Sequence, residues 1–428
     1  MPHRREKVIR DPVHDVIAFQ LDDDVDRLIF ELLSCREVQR LRRVRQLGFA
    51  SLAYPGADHS RYSHSLGVFE TARKILSRLE RAGLGLDDAD REATLVAALL
   101  HDLGHGPFSH VFERVSGIHH EGVTRRLMLD HDGDVYRTLI ARDATLPERA
   151  VGLLDCHGPA VACDVISSQL DADRLDYLLR DNLMTGSRYG QYDLGWLLQA
   201  MTVAEGRLAI SYKGISAAEQ YLQARYHLYR HVYFHKVVRA AEGMVTLALR
   251  RARELLMSEP GGDVTGVNMN LPPGSGAVAR VLVGDRLEAS EFADLDDVSV
   301  LGCFKAWRKS GDSTLAGLCG GLLDRRLYKT ISLDAADDPD AATERAIEAV
   351  RAADGDADYA IFRDEPANRP YAAGSSGIVV ETPSGTADLA SVSPFVAALA
   401  DESRDRPARR LHVDPRYAEI ARAAVVTP

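Results

Sequence analysis

The amino-acid sequence predicts a mainly α protein: a helical bundle over residues 1–258, a linker or long loop over 259–277, and a smaller α/β unit over 278–428. Three observations carry that expectation. Apolar residues recur at helical spacing through most of the first 258 positions. The stretch 258–277 (SEPGGDVTGVNMNLPPGSGA) is rich in Gly and Pro, the composition of a connecting loop. Beyond it, short alternating runs interleave with helical patterns, as a compact α/β unit requires.

Taken in order, residues 22–33 (DDDVDRLIFELL) place acids in the first turn of a helix, where they complement its dipole. Helical patterns recur over 62–79 and 91–103, and the second must stop at Gly104, Gly106 and Pro107. They resume over 147–154, 171–183 and the long stretch 216–257. The two alternating runs of 202–211 flank Glu205-Gly206 and read as a β-hairpin. In the last unit, 327–333, 359–363 and 377–381 are strand-like and 341–352 is helical.

Composition narrows the function. Of 428 residues, 46% are hydrophobic and 27% charged, which excludes a wholly disordered chain. The 52 basic against 63 acidic side chains leave a formal charge of −11, which opposes non-specific binding to nucleic acid. An anionic substrate would therefore be held by a few placed arginines and a metal. The five cysteines (35, 156, 163, 303 and 319) form no CxxC pair and read as reduced thiols of a cytoplasmic protein. The opening MPHRREKVIRDP lacks the apolar stretch of a signal peptide, and no window is long and apolar enough for a membrane span.

The residues that could carry chemistry are His64, the doublet His101-Asp102, and Asp173. Two imidazoles and two carboxylates suit Mn, Fe, Zn, Ni or Mg. Each falls near the end of a different helical pattern, so three helices can converge to hold one ion in a bundle core. Two further doublets, His14-Asp15 and His131-Asp132, lie in polar surroundings and read as surface features. The middle doublet differs because it follows the apolar run TLVAALL and precedes LGHGPFSH, which adds His105 and His110 beside glycines.

The runs HSRYSHSLGV (59–68), HDLGHGPFSHVFE (101–113), HHEG (119–122) and LDADRLDYLLRD (170–181) resemble the HD-domain metal-dependent phosphohydrolases. With KVIRDPVHD, QRLRRVRQLG, AEQYLQARYHLYRHVYFHKV and TGSRYGQYDL, the chain is similar over roughly 7–257 to the dNTP triphosphohydrolase branch. That resemblance implies a helical HD-domain bundle with His64, His101, Asp102 and Asp173 as ligands of a divalent metal ion. It implies His105, His110 and His120 around the scissile phosphate. His110 would protonate the departing oxygen, and Glu113, one turn on, would orient it.

The same resemblance implies Arg61, Arg174, Arg225 and Lys236 for the triphosphate, which arginine forks bind in pairs. From the residues alone, Arg225 and Lys236 read as solvated helix charges. It further implies Gln46, Tyr177, Asp181 and Tyr233 at the sugar, with Tyr233 leaving no room for a 2′ hydroxyl. The expected reaction is hydrolysis of dNTPs to deoxynucleoside and inorganic triphosphate, in a homo-oligomer (dimer or tetramer). The alternatives are another HD phosphohydrolase, acting on nucleoside monophosphates, cyclic nucleotides or (p)ppGpp, and a non-catalytic nucleotide sensor. The basic stretch QRLRRVRQ reads either as an exposed helix face or as the place of a nucleotide activator. Lys7, Val8, Gln39 and Arg42 match such a site, whereas Arg10 and Ser34 depart from it and argue against GTP in that role.

Overall fold

The computed structural model describes residues 6–258, 276–367, 370–401 and 408–426. The chain opens on a hairpin that its periodicity does not announce: β1 (Glu6–Asp11) pairs antiparallel with β2 (Asp15–Gln20), reversing at Asp15 with φ 61°. Asp tolerates this left-handed conformation better than most residues. Ile17 and Phe19 bury the hairpin's inner face, while Pro12 interrupts the alternation that would mark it in sequence.

Behind it lies the pair of helices that positions the site. The His64 helix (Arg61–Arg81) is joined by a short loop to a helix over Asp88–Leu100. Asp87 caps the latter by accepting from the Asp90 amide. Every residue from Glu92 to Leu100 is buried, as befits a helix apolar on nearly all sides. Against the His64 helix packs the Asp173 helix (Ala172–Thr185), capped by Asp171 and ended by Gly186 at φ 70°.

The expected hairpin forms from β3 (Met201–Ala204) and β4 (Arg207–Ser211), with Glu205 and Gly206 both at positive φ as a type I′ turn needs. The stretch 216–257 is not one helix. It runs as Ile215–Leu228, widens into a π-turn at Tyr229–Tyr233, and restarts as Lys236–Ser258. Such π-turns interrupt otherwise helical sequence without a Gly or Pro, so hydrophobic spacing does not reveal them.

The region after the loop divides between two cores. Helices over Gly276–Val283, Asp297–Trp307 and Ser313–Leu323 pack with the long helix Lys236–Ser258 and share the main core through Phe304 and Trp307. β5 (Lys329–Ser332) and β6 (Ile361–Asp364) flank a later strand in a separate antiparallel sheet. Meanwhile β7 (Val379–Thr382) adds parallel to β4, and β8 (Gly385–Asp388) completes a sheet of order β3-β4-β7-β8. β9 (Arg410–Val413) closes the order β5-β9-β6. With helices Pro339–Ala352 and Ala418–Val426 this last sheet forms a small core of its own around Val350, Leu411 and Val413. The expected unit over 278–428 is thus partly an extension of the helical body. Of the expected linker, residues 259–275 lie outside the described residues.

All five cysteines are free, four of them buried. Among the described residues no helix is long and apolar enough to cross a membrane.

The small sheet docks by close approach. Phe362 of β6 lies over the long helix at Gly243, where a Cβ would come 2.0 Å from the ring. Stacking of Phe362 on His412, centroids 4.9 Å apart, restrains its retreat. A Gly243→Val substitution is expected to lower stability by about 1–3 kcal/mol through overpacking, read from chemical denaturation. An unchanged midpoint would mean that the sheet is not held at this contact.

Candidate active site

Three helix ends deliver His64, His101 and Asp173 to one point. His64 is the fourth residue of its helix, His101 ends the helix Asp88–Leu100, and Asp173 lies in the first turn of the Asp173 helix. One ligand atom from each lies within 4.8 Å of the other two. Asp173 Oδ1 stands 2.9 Å from His64 Nε2 and 3.7 Å from His101 Nε2. The opposite ring nitrogens are engaged elsewhere. His64 Nδ1 donates to Asp176 Oδ2 at 2.8 Å, and His101 Nδ1 to the Ala98 carbonyl at 2.9 Å. Each imidazole therefore turns Nε2 inward, the arrangement metal-binding histidines use.

These residues fit a divalent ion. Two imidazoles and a carboxylate are suitable donors, and His101 Nε2 is buried with no hydrogen-bond partner, an orphan that a bound ion would explain. Burial opposes protonation of His64, yet Asp173 and Asp176 outweigh it and raise its pKa to about 10. The carboxylates thus favour positive charge at this point, whether a proton or an ion carries it.

Asp102 borders this group. Its Oδ1 is 3.3 Å from His101 Nε2 and its Oδ2 3.8 Å from His64 Nε2. Burial would raise its carboxyl, but Arg61, His101 and His105 prevail and hold it well below the usual range. Arg61 Nη1 donates to Asp102 and Nε to Ser109 Oγ at 2.8 Å. The turn that brings Ser109 there has Phe108 and Ser109 at φ 52° and 55°, left-handed positions of the kind that cluster at functional sites.

His105 stacks on His120 with centroids 3.9 Å apart, and its Nε2 lies 3.2 Å from Asp102 Oδ1. Burial, followed by the Arg61 charge, keeps the His105 pKa well below 6.5. Glu113, expected to orient His110, accepts from His119 Nδ1 at 3.1 Å and from His120 Nδ1 at 3.3 Å. His110 opens the helix His110–Ser116, and its side chain lies outside the described residues.

A cavity of about 540 Å³ opens at these groups. Of the residues expected to bind substrate, Gln46, Arg61, Arg174, Tyr177, Asp181 and Tyr233 line it. Tyr233 donates to Asp181 Oδ2 at 2.7 Å, His59 Nε2 meets Asp181 Oδ1 at 2.8 Å, and Tyr177 lies edge-on to Tyr233. Gln46 Oε1 is buried without a partner. Arg174 is committed to Asp171 and the Ser168 carbonyl. Arg225 and Lys236 do not line the cavity. Lys236 is exposed, and Arg225 is buried behind Tyr229 with Nε and Nη1 unpartnered.

The basic stretch QRLRRVRQ is largely engaged within the chain. Arg40 is fully buried and donates to the carbonyls of Leu295, Leu103 and His105, while Arg43 pairs with Asp296. Arg42 stays exposed, its guanidinium 3.6 Å from the Tyr62 ring centre.

One expectation is corrected. His14 is not a surface residue: its side chain is 1% exposed, and its Nε2 bonds Asp176 Oδ1 at 2.9 Å. A proline-interrupted segment looks polar in sequence, but pairing of β1 with β2 folds it inward. His131 and Asp132 are exposed as expected. Sequence reasoning also missed Asp176, Arg180 and Asp11. Asp176 receives His14, His64 and two Arg180 nitrogens, and Arg180 bridges on to Asp11. The available signal was the spacing of Asp173, Asp176 and Arg180, three and four apart on one helix face. From the small sheet, Asp364 holds Arg239 on the cavity wall at 3.0 Å, and Arg410 donates to the Phe234 carbonyl at 2.6 Å.

Comparison with known proteins agrees with this geometry. Residues 61–169 match the HD domain and residues 192–261 the HD associated region. The uncharacterized protein YwfO of Bacillus subtilis is 37% identical over 77% of this chain and 72% of its own length. The deoxynucleoside triphosphate triphosphohydrolase SAMHD1 homolog of Dictyostelium discoideum is 30% identical over 59% of this chain, and human SAMHD1 26% over 58%. The alignments span 51% and 45% of those two proteins. The crystal structure of a phosphohydrolase from Bacteroides thetaiotaomicron superimposes with a TM-score of 0.80 and 28% identity, covering 95% of this chain and all of that one.

Because Asp176 fixes the inward-facing tautomer of His64, Asp176→Asn is expected to weaken Mn²⁺ binding about 10- to 100-fold, measured by isothermal titration. Equal affinity in a variant of unchanged melting temperature would show that His64 needs no such partner.

Proposed function

The chain belongs to the HD-domain phosphohydrolase family, and on that premise we propose that it hydrolyses dNTPs to deoxynucleoside and inorganic triphosphate. The observation that carries the reading is one cavity with two chemically different walls. His101, Asp102 and Asp173 form one part of its lining, and Gln46, Tyr177, Asp181 and Tyr233 another. A nucleotide lying between them would present its α-phosphate to the first wall and its sugar to the second.

His64, His101, Asp102 and Asp173 would hold a divalent ion, which supplies Lewis-acid polarisation of a phosphoryl oxygen and acidifies water. Water would attack the α-phosphorus in line with the 5′ oxygen and the phosphorus–oxygen bond break; His110 would give its proton to the departing oxygen, and the proton released by the attacking water would restore it. His105 and His120 stack on one another with Glu113 accepting from His120, and would add two further imidazoles beside the phosphate. Arg61 and Arg174 line the same cavity and would meet the phosphate oxygens, and their attachment to Asp102 and Asp171 would preorganise that charge. Asp181 retains lone pairs for a 3′ hydroxyl beyond those used by His59 and Tyr233. The Tyr177–Tyr233 pair would close the space a ribose hydroxyl needs. Arg225, with two buried unpartnered nitrogens, supports an anion nearby, reached by a shift of Tyr229.

A second reading, hydrolysis of a monophosphate or cyclic nucleotide, draws on the position of Arg225 and Lys236 off the cavity wall, which leaves fewer cations for the outer phosphates.

Product analysis separates the two. With Mn²⁺ or Mg²⁺ and each dNTP and NTP, singly and mixed, the expected products are deoxynucleoside and intact triphosphate, abolished in Asp102→Ala. Turnover of a monophosphate or cyclic nucleotide with dNTPs left whole would favour the second reading. The mixtures reveal any nucleotide activator, and light scattering on the same samples reads the proposed dimer or tetramer. Arg225→Ala is expected to raise KM for a dNTP about tenfold or more with a smaller change in kcat, as loss of a ground-state phosphate contact predicts. An unchanged KM would remove Arg225 from the site.

A further inference from the structure

The two helices that carry His64 and His101 at one end carry a cluster of cations toward the other. Lys74 lies ten residues beyond His64, and Arg91 ten before His101, so each is about 15 Å along its helix from the metal centre. Between those far ends lies a separate cavity of about 540 Å³, lined by Arg73, Lys74, Arg78, Arg81 and Arg91. The acids on its wall, Asp23 and Asp26, are already in use, and Glu70 behind it pairs with Arg73 at 2.5 Å and Lys74 at 3.4 Å, which leaves Arg78, Arg81 and Arg91 unbalanced. Asp23 accepts the amides of Val25 and Asp26, and Asp26 accepts the Gln20 amide and Arg73. Among the described residues, Arg78 donates to the Gln199 carbonyl and to no carboxylate, Arg81 and Arg91 form no ion pair, and Arg91 Nε is buried with no partner.

This arrangement is costly without a ligand. Like charges gathered around one concavity repel, and a buried guanidinium nitrogen without an acceptor loses its hydration for nothing. Arg78, Arg81 and Arg91 thus leave this cavity locally positive in a chain of net charge −11, a field that favours an anion here. Several unpaired guanidinium groups suit phosphate oxygens, which they bind in forks.

The cavity is also joined to the metal centre. Lys74 Nζ donates to His14 Nδ1 at 3.1 Å, His14 Nε2 donates to Asp176 Oδ1 at 2.9 Å, and Asp176 Oδ2 accepts from His64 Nδ1 at 2.8 Å. An anion in the cavity would compete for Lys74 and so alter the hydrogen bond that orders His14.

We propose that this cavity is a second site, for a phosphate-bearing anion, and that Lys74 joins it to the metal centre. The site does not depend on which nucleotide the enzyme cleaves.

Isothermal titration of the metal-free full chain with inorganic tripolyphosphate tests it. Wild type should show two classes of site, with one weakened at least tenfold in Arg81→Ala/Arg91→Ala and the other in Arg61→Ala. An isotherm unchanged in the double variant would overturn the site. ATP in place of tripolyphosphate distinguishes the source: equal affinity assigns the charge alone, and tighter binding assigns a nucleotide. Sulfate, which chelates Mn²⁺ weakly, tests the connection at constant ionic strength. Saturating sulfate should change Mn²⁺ affinity at least threefold in wild type and not in the double variant. No change in wild type would overturn the link through Lys74.

Discussion

The carboxylate of Asp176 is the interaction on which the rest of the structure depends. It is wholly buried, where an unpaired charge would be prohibitively expensive, and it survives because four donors surround it. Burial would raise its carboxyl, but Arg180, His14 and His64 reverse that and hold it well below the usual range. Each donor imposes a constraint. His64 must lie one turn into its helix, Arg180 must follow on the same face as Asp176, and His14 must be brought in by the opening hairpin. Gly67, one turn after His64, is required for the same reason: a Cβ there would fall 1.9 Å from Asp176 Oδ1.

That constraint explains why a hairpin so far from the cavity belongs to the active centre. Asp11 accepts the amides of Val13 and His14 and two nitrogens of Arg180, so it shapes the hairpin turn and secures the far side of the clamp together. Rigidity bought here is spent at His64 and Asp173, whose ligand atoms need fixed directions to select a metal geometry. The rest of the cavity lining follows a different logic. Tyr177 and Asp181 extend the Asp173 helix along the cavity, whereas Tyr229 and Tyr233 come from a π-turn and Arg239 is held there by Asp364 of the separate small sheet, so this part of the lining is assembled from elements that pack by contact.

Much of the site was legible in sequence because metal chemistry restricts residue type and because helix ends are written locally. His64, His101, Asp102 and Asp173 could be singled out from helix periodicity, the glycines and proline after Leu103, and order along the chain. The apolar run before His101 and the Asp171 cap both fall where the pattern placed a helix end. The Glu205-Gly206 hairpin was equally plain, since two consecutive left-handed residues leave few sequence options. What could not be read was any contact between segments far apart in the chain. His14 looked polar and exposed, Arg40 looked like part of a basic face, and Arg225 looked like either a solvated charge or a phosphate ligand. The partners of His14 and Arg40 lie between 63 and 255 positions away.

By itself, then, the sequence determined a helical bundle, the ligand types and their placement near helix ends, because backbone hydrogen bonding and side-chain spacing are local properties. Only the tertiary structure decided that the opening hairpin closes behind His64, that the region after the loop splits between two cores, and that cations gather at the far end of the metal-bearing helices. These are outcomes of burial and charge pairing over long separations. Their free energy depends on which neighbours arrive, and no stretch of sequence contains that information until the chain has packed.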